Sequence, residues 1–305
     1  MGRAETVVEF LRQEQARLVD GFERMDGRAT FRQAPWSRPE LGGGTARILE
    51  QGRVFERGGV NVSLVHGARV PASIADTQPE LAGRPFVATG ISVVLHAVNP
   101  YTPSFHANFR YFEVDGGERD GTWWFGGGAD LTPCYAFEQD ATHFHATLKA
   151  CCDRYDPGWY PAWKQACDRY FYLPHRAEMR GVGGIFFDRL SGADGVSWQR
   201  CFDFVRDGSG VLLDAIEPIV ARRRATPYGQ RERQWQLLRR GRYVEFNLVY
   251  DRGTRFGLET RGNVEAILMS LPAVAGWAFD VRPEPGSPEE LTVRCLQPTD
   301  WAARA

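Results

Sequence analysis

Alternate positions of the run Asn99 to Glu113, NPYTPSFHANFRYFE, carry His106, Asn108 and Arg110, and the residues between them are mostly aromatic or small. In a strand, successive side chains point to opposite faces, so these three share one face. A folded chain rarely keeps such a polar row without a ligand to satisfy it. A buried network that merely ties strands together is the competing reading, because His, Asn and Arg also satisfy one another. Upstream, His96 shares strand parity with Ser92, so two neighbouring strands would offer one polar patch. A histidine there suits proton transfer at neutral pH, and Arg110 suits bidentate capture of a carboxylate.

Within ten residues comes WWFGGGADLTPCY, Trp123 to Tyr135. Three glycines remove side chains where two tryptophans supply flat apolar area, which suits a backbone pressed against a large flat ligand, with Asp130 beside that wall. A bulge or tight loop explains a glycine run equally well. The run is neither GxGxxG nor a Walker loop, so nucleotide binding gains no support.

The surrounding pattern argues for α+β. Thr6 and Glu9 form a capping box before Val7, Leu11, Leu18 and Phe22 at helical spacing to about residue 25. A polar connector with Gly42, Gly43 and Gly44 leads to strand-like runs at 46–50, 54–63 and 91–96. Helices are expected at 137–155, 159–173, 198–224 and 230–240, with strands at 185–188 and 243–250. Strands, then helices, then a strand, with no regular βα alternation, point to an antiparallel sheet in one domain over residues 1–305. In the last strand Glu245, Asn247 and Asp251 would share a face. Asp251 and Arg252 would then enter the turn GTRFG, where an aspartate beside an arginine stays ionised and can act as a base.

Composition narrows the partners. The 305 residues are 43% hydrophobic, enough for a real core, and the net charge of −1 supplies no global field for nucleic acid or anionic membrane. Arg222, Arg223, Arg224, Arg231, Arg233, Arg239, Arg240 and Arg242 form a basic stretch, read as a solvated helical face or a positive rim that steers an anionic substrate. No stretch approaches the roughly 20 apolar residues of a membrane helix. The N-terminus has no signal-peptide pattern and the six cysteines form no CxxC pair, so a cytoplasmic location is expected, with the thiols as small buried hydrophobes. All six histidines fall between residues 66 and 175, which invites a metal reading. Spacing does not supply a ready-made site: His143 and His145, two apart in a helix, diverge by about 200°.

These blocks resemble the oxygen-dependent coproporphyrinogen III oxidases of haem biosynthesis. The matching segments are NPYTPSFHANFRYFE, WWFGGGADLTPCY, YFYLPHRAEMRGVGGIFFDRL and GRYVEFNLVYDRGTRFGLETRGNVEAILMSLP, with GGVNVSLVHG and PELAGRPF upstream. They run in the family's order and cover nearly all of residues 40 to 280. The resemblance implies a large flat antiparallel sheet covered by helices on both faces, a homodimer with its contact near 243–278, and a deep cleft for coproporphyrinogen III. It implies oxidative decarboxylation of two propionates to vinyl groups, giving protoporphyrinogen IX, with O2 as oxidant and no organic cofactor. By matching motif it implies substrate contacts at Ser92, Asn108, Phe109, Arg110, Arg261, Gly262 and Asn263, with His106 as proton donor. His96, His106, His145 and His175 fall on positions described as divalent-metal ligands in bacterial members.

The substrate so implied has four carboxylates around an apolar ring system, which the arginines and aromatic walls suit. Asp251, or else Asp130, would accept a pyrrole N–H proton, while Arg110, Arg180 and Arg252 anchor carboxylates or steady developing charge. Two departures from the family pattern bear on this. Its Gly-Gly-Arg type turn is Arg261-Gly262-Asn263 here, and its FFDD is Phe186-Phe187-Asp188-Arg189, a cation replacing the second carboxylate. Two rival readings remain, a metal-dependent oxygenase and a non-catalytic tetrapyrrole-binding protein.

Overall fold

The computed structural model describes residues 2–116, 122–192, 195–259 and 263–304. It opens with α1, Arg3–Asp26, in which Val7, Leu11, Leu18 and Phe22 form a fully buried stripe. Burying each such side chain contributes about 1.5–3 kcal/mol, far more than intrinsic helix preference. The helix starts one turn earlier than the Thr6–Glu9 box suggests. The Glu5 carboxylate accepts the Gly2 N–H at 2.6 Å, and Thr6 donates its hydroxyl to the Gly2 carbonyl.

Six strands follow: β1 Arg32–Arg38, β2 Gly42–Glu50, β3 Phe55–Gly67, β4 Phe86–Ala97, β5 Ser104–Val114 and β6 Trp123–Thr132, with the short α2, Ala72–Ala75, after β3. The helices α3, Glu138–Asp153, and α4, Trp159–Tyr170, come next, then a small ribbon of β7, Tyr172–Leu173, and β8, Glu178–Met179. Finally β9, Gly183–Leu190, pairs with β6 and completes a seven-stranded antiparallel sheet in the order β1-β2-β3-β4-β5-β6-β9. The expected connector at Gly42–Gly44 is the start of β2. Trp36 lies opposite Gly44, where a Cβ would come within 2.9 Å of the indole nitrogen, so the missing side chain gives the ring its place.

One sheet face is apolar. Val60, Val62, Ile91, Val93, Phe105, Ala107, Phe109, Phe125, Ala129, Ile185 and Phe187 point into a core shared with α1, α3, α5 (Trp198–Gly210) and α6 (Leu212–Arg223). The last two replace the single helix expected over 198–224; they meet at Val211. All six cysteines are unpaired and five are buried, consistent with use as small core residues.

The opposite face is approached by α7, Gln230–Val249, by α8, Arg252–Glu259, and by α9, Val264–Leu268; α10, Pro288–Cys295, lies near the end of the chain. The strand expected at 243–250 is therefore the last third of α7. Trp235, Arg239, Tyr243, Phe246 and Asn247 recur at helical spacing and are buried, and that longer period overrides the local alternation of VEFNLVY. The chain after α9 presses on the sheet, with Met269 occupying the space that a side chain at Gly59 would need. The basic stretch is solvated only in part: Arg224 and Arg231 are exposed, while most of the others are partly or fully buried. Arg239 pairs with Glu178 at 2.7 Å, Arg240 with Glu56, Arg231 with Glu289, and Arg223 with Asp140. Among the described residues no helix is long and apolar enough to cross a membrane.

Candidate active site

Strand register lays the polar face out in three cross-strand rows. Gly59, Val94, His106, Asp130 and Gly184 form the first; Asn61, Ser92, Asn108, Gly128 and Phe186 the second; Ser63, Gly90, Arg110 and Gly126 the third. The parity argument for Ser92, His96, His106, Asn108 and Arg110 thus matches the observed register. It also shows why the glycines matter: five of the fourteen positions carry no side chain, so the sheet presents a low floor with polar groups rising from it. Phe109 belongs to the other face, fully buried against Phe187, so it packs the core beneath the floor.

At one end of the floor the His106 Nδ1–H donates to Asp130 Oδ1 at 2.6 Å, while the other Asp130 oxygen accepts from Arg180 at 2.6 Å. Asp130 is only 2% exposed. Burial alone would raise its pKa, but the Arg180 charge and the His106 bond outweigh it and hold the carboxyl below its ordinary range. An ionised Asp130 fixes the proton of His106 on Nδ1 and leaves Nε2 toward the floor. Arg180 is itself 2% exposed, sandwiched by Phe171 and Tyr243, with its other nitrogen donating to Asn247 at 2.9 Å. It lies behind Asp130 and serves as its support, not as an open carboxylate clamp. Asn247 donates on to Ser270, whose carbonyl accepts from His96 Nε2, so one polar chain links His106 to His96.

At the other end, Arg110 stretches across the neighbouring strand. A Cβ on Gly126 would fall 2.9 Å from its Nε, so only glycine allows the guanidinium to cross and reach Asp188 at 3.0 Å. Arg252 approaches the second Asp188 oxygen at 3.5 Å and lies over the rings of Tyr170 and Phe186, which stack 4.2 Å apart.

Asp251 lies between these ends in chemistry but not in a turn. It caps α8, accepting the Thr254 amide and hydroxyl at 2.8 Å each on one oxygen and the Tyr170 hydroxyl at 2.8 Å on the other. Burial pushes its pKa up, yet these donors and the charge of nearby His106 leave it lowered and ionised. The expected GTRFG turn is helical, with Asp251 accepting the Thr254 amide and the Tyr170 hydroxyl accepting the Arg252 amide at its start. Asn263 likewise caps α9, its Oδ1 accepting from Glu265 and Ala266, whereas Arg261 and Gly262 lie outside the described residues.

The four histidines of the metal reading do not converge. His96 accepts from Ser104 and donates to the Ser270 carbonyl; His145, in α3 beside Phe144 on the core side, accepts from Tyr160 and donates to the Val182 carbonyl. Burial pushes both down to about 3, so both are neutral with their ring nitrogens occupied. His175 sits at the surface against Tyr250 and Glu245. Among the described residues no three His, Cys, Asp or Glu side chains group to hold an ion, so this donor set does not fit one metal.

Several site residues escaped sequence reasoning. Tyr170 and Ser270 make their contacts only through distant elements. Asn61 was visible in GGVNVSLVHG as the period-two neighbour of Ser63; its amide donates to the Ala266 carbonyl, while its buried Oδ1 has no partner. With this geometry in place, comparison with protein families finds that the model described as Coproporphyrinogen III oxidase matches residues 6–301.

Proposed function

Because the chain belongs to the coproporphyrinogen III oxidase family, we propose that it converts two propionates of coproporphyrinogen III to vinyl groups with O2 as oxidant. Members of this family are oxidoreductases of haem biosynthesis that act by oxidative decarboxylation. The observation that carries the finer reading is the glycine-paved floor, with the His106–Asp130 pair at one end and Arg110 with Arg252 at the other. From His106 to Arg110 along the strand is about 13 Å, a span for a broad flat ring with acidic arms.

For each vinyl formed, the balance is propionate plus O2 plus one proton giving vinyl, CO2 and hydrogen peroxide. The C–H bond next to the ring and the bond to the carboxylate both break, and O2 takes the two electrons. One proton must be supplied per vinyl formed, and His106 supplies it from Nε2 as the imidazolium, whose Nδ1–H stays bonded to the ionised Asp130. Asp251 takes the pyrrole N–H proton and makes the ring electron-rich enough to react with O2. Asp130 is the less suited of the two because it is 2% exposed and pinned between His106 and the buried Arg180, whereas Asp251 is partly exposed. The ring provides the electrons, so the reading uses no organic cofactor, and no step runs through a metal because the histidines do not fit one. Arg110 and Arg252 receive a carboxylate, and Ser92, Asn108 and Asn61 meet the ring between them.

A homodimer completes the proposal. Leu248, Val249, Val264, Val274 and Trp277 are all exposed in or beside the stretch expected as the contact, and Phe279 is fully exposed next to it, an apolar surface suited to a second copy.

The test is aerobic incubation of the purified chain with coproporphyrinogen III and detection of protoporphyrin after oxidation. Product under air and none under argon is expected; binding without product would favour a carrier. Loss of aerobic activity after exhaustive chelation, restored by added metal, would favour the metal-dependent oxygenase.

A further inference from the structure

The carboxylate-binding arginines are already occupied by a carboxylate of the chain itself. Asp188 lies with one oxygen 3.0 Å from Arg110 and the other 3.5 Å from Arg252. A β-bulge puts it there. Phe125 pairs with Leu190 and Gly127 with Phe187, so Asp188 and Arg189 together oppose the single residue Gly126. Arg189 adopts a positive φ of 58° to make this possible and is tied to Thr77 by its guanidinium at 2.7 Å. Bulges commonly re-aim a side chain beside an active site, and a non-glycine residue in the left-handed region is a conformation that needs a reason. The bulge turns the Asp188 side chain toward the floor, opposite a glycine that leaves the Arg110 guanidinium free to meet it.

We infer that Asp188 is an internal stand-in for a substrate carboxylate: it holds Arg110 and Arg252 in the free enzyme, gives way when a substrate carboxylate arrives, and returns when that carboxylate has left. The inference rests on the proposed propionate substrate. All three side chains are reachable from solvent, with Asp188 32%, Arg110 38% and Arg252 59% exposed, so exchange requires no unfolding. Asp188 also borders a hollow of about 310 Å³ at the β9 edge, lined by Asp156, Trp159, Trp163 and Arg189, which gives the displaced carboxylate room to move. Two guanidinium groups with one aspartate carry a net charge of +1; with asparagine they carry +2 and hold an incoming anion more tightly. A decarboxylase gains from the exchange, because the arginines need not remain unpaired once CO2 has gone. Asp188 is in this sense a positioning residue that sets how firmly the substrate's acid arm is gripped.

The experiment compares wild type with Asp188→Asn and Asp188→Ser. Binding of coproporphyrin III, the oxidised and unreactive tetracarboxylate, is followed by fluorescence, with an alkyl porphyrin lacking carboxylates as control, and KM and kcat are measured with coproporphyrinogen III. Both variants should bind the tetracarboxylate about fivefold more tightly and the alkyl porphyrin unchanged, with KM and kcat both lowered as product leaves more slowly. Unchanged or weaker tetracarboxylate binding in both variants would overturn the inference, leaving Asp188 a structural partner of the arginines. Wild type that binds but never turns over coproporphyrinogen III would count against the proposed function alone; tighter binding by the variants would still establish the stand-in.

Discussion

His106 and Asp130 occupy opposed positions on neighbouring central strands, and their 2.6 Å contact is the point where the sheet register becomes chemistry. A one-residue slip of β6 would send Asp130 to the apolar face and leave His106 with no orienting carboxylate.

Replacing the two aspartates should have different consequences. Asp130→Asn leaves Arg180 buried without its counter-charge, so a stability loss of about 3–5 kcal/mol is expected along with lost turnover. Asp251→Asn keeps a competent helix cap, because asparagine caps as well as aspartate, and should therefore melt within about 1 kcal/mol of wild type while kcat falls at least 100-fold. Urea melts beside steady-state kinetics check the pair. Wild-type turnover in a folded Asp251→Asn variant would remove Asp251 as the base.

Gly126→Ala and Gly128→Ala, two residues apart, should separate function from folding. A methyl at Gly126 meets the movable Arg110 guanidinium, so KM should rise about fivefold with little change in melting temperature. At Gly128 the methyl would come within 2.1 Å of the Ile185 carbonyl, which belongs to the sheet, so a loss of roughly 3 kcal/mol or more is expected. Thermal melts and Michaelis curves on both variants make the comparison.

Acid stability should carry the signature of buried neutral histidine. His145 has its pKa depressed to about 3 by burial, whereas an unfolded histidine titrates near 6.5. A depressed folded pKa means stability that is present above the unfolded value and lost as pH falls toward the folded one. Denaturant melts between pH 7 and 4 should therefore show His145 costing roughly 1 kcal/mol per pH unit below about 6.5, a slope that His145→Gln flattens. Glu245, lowered to about 2 with Arg176, His175 and Trp277 donating to it against its burial, acts in the same sense but only between about pH 4.5 and 2.

Sedimentation velocity tests the proposed dimer. Wild type should sediment as two chains at micromolar concentration, and Phe279→Asp should shift it toward one chain without changing the far-ultraviolet circular dichroism. Monomer alone in the wild type would remove the proposal.

The floor was legible in sequence where a strand has one buried and one polar side, because there a period of two is enforced by packing. That is why Ser92, His106, Asn108 and Arg110 share a face as their spacing indicates. The same reasoning misplaced Tyr243 to Tyr250, where the alternation of Val244 to Leu248 fits a strand locally while the buried row from Trp235 to Asn247 requires a helix. Contacts such as Tyr170 with Asp251, 81 residues apart, and Arg110 with Asp188, 78 apart, leave no local trace, since neither partner's neighbours record the other. The arginine stretch misled for a related reason: charge spacing along a helix cannot reveal that Glu56 and Glu178 wait on other elements to meet it.

The glycine-paved floor is hydrogen-bonded strand to strand through its centre, so it has little capacity to change shape. Fit must then come from the guest. A porphyrinogen, hinged at saturated bridges between its pyrroles, can fold to match a fixed surface, at the cost of its own lost conformational freedom. A stiff planar porphyrin has no such adjustment to make, so its affinity should report the carboxylate contacts at the ends of the floor, while the reduced ring alone can also bend to meet the polar groups between them.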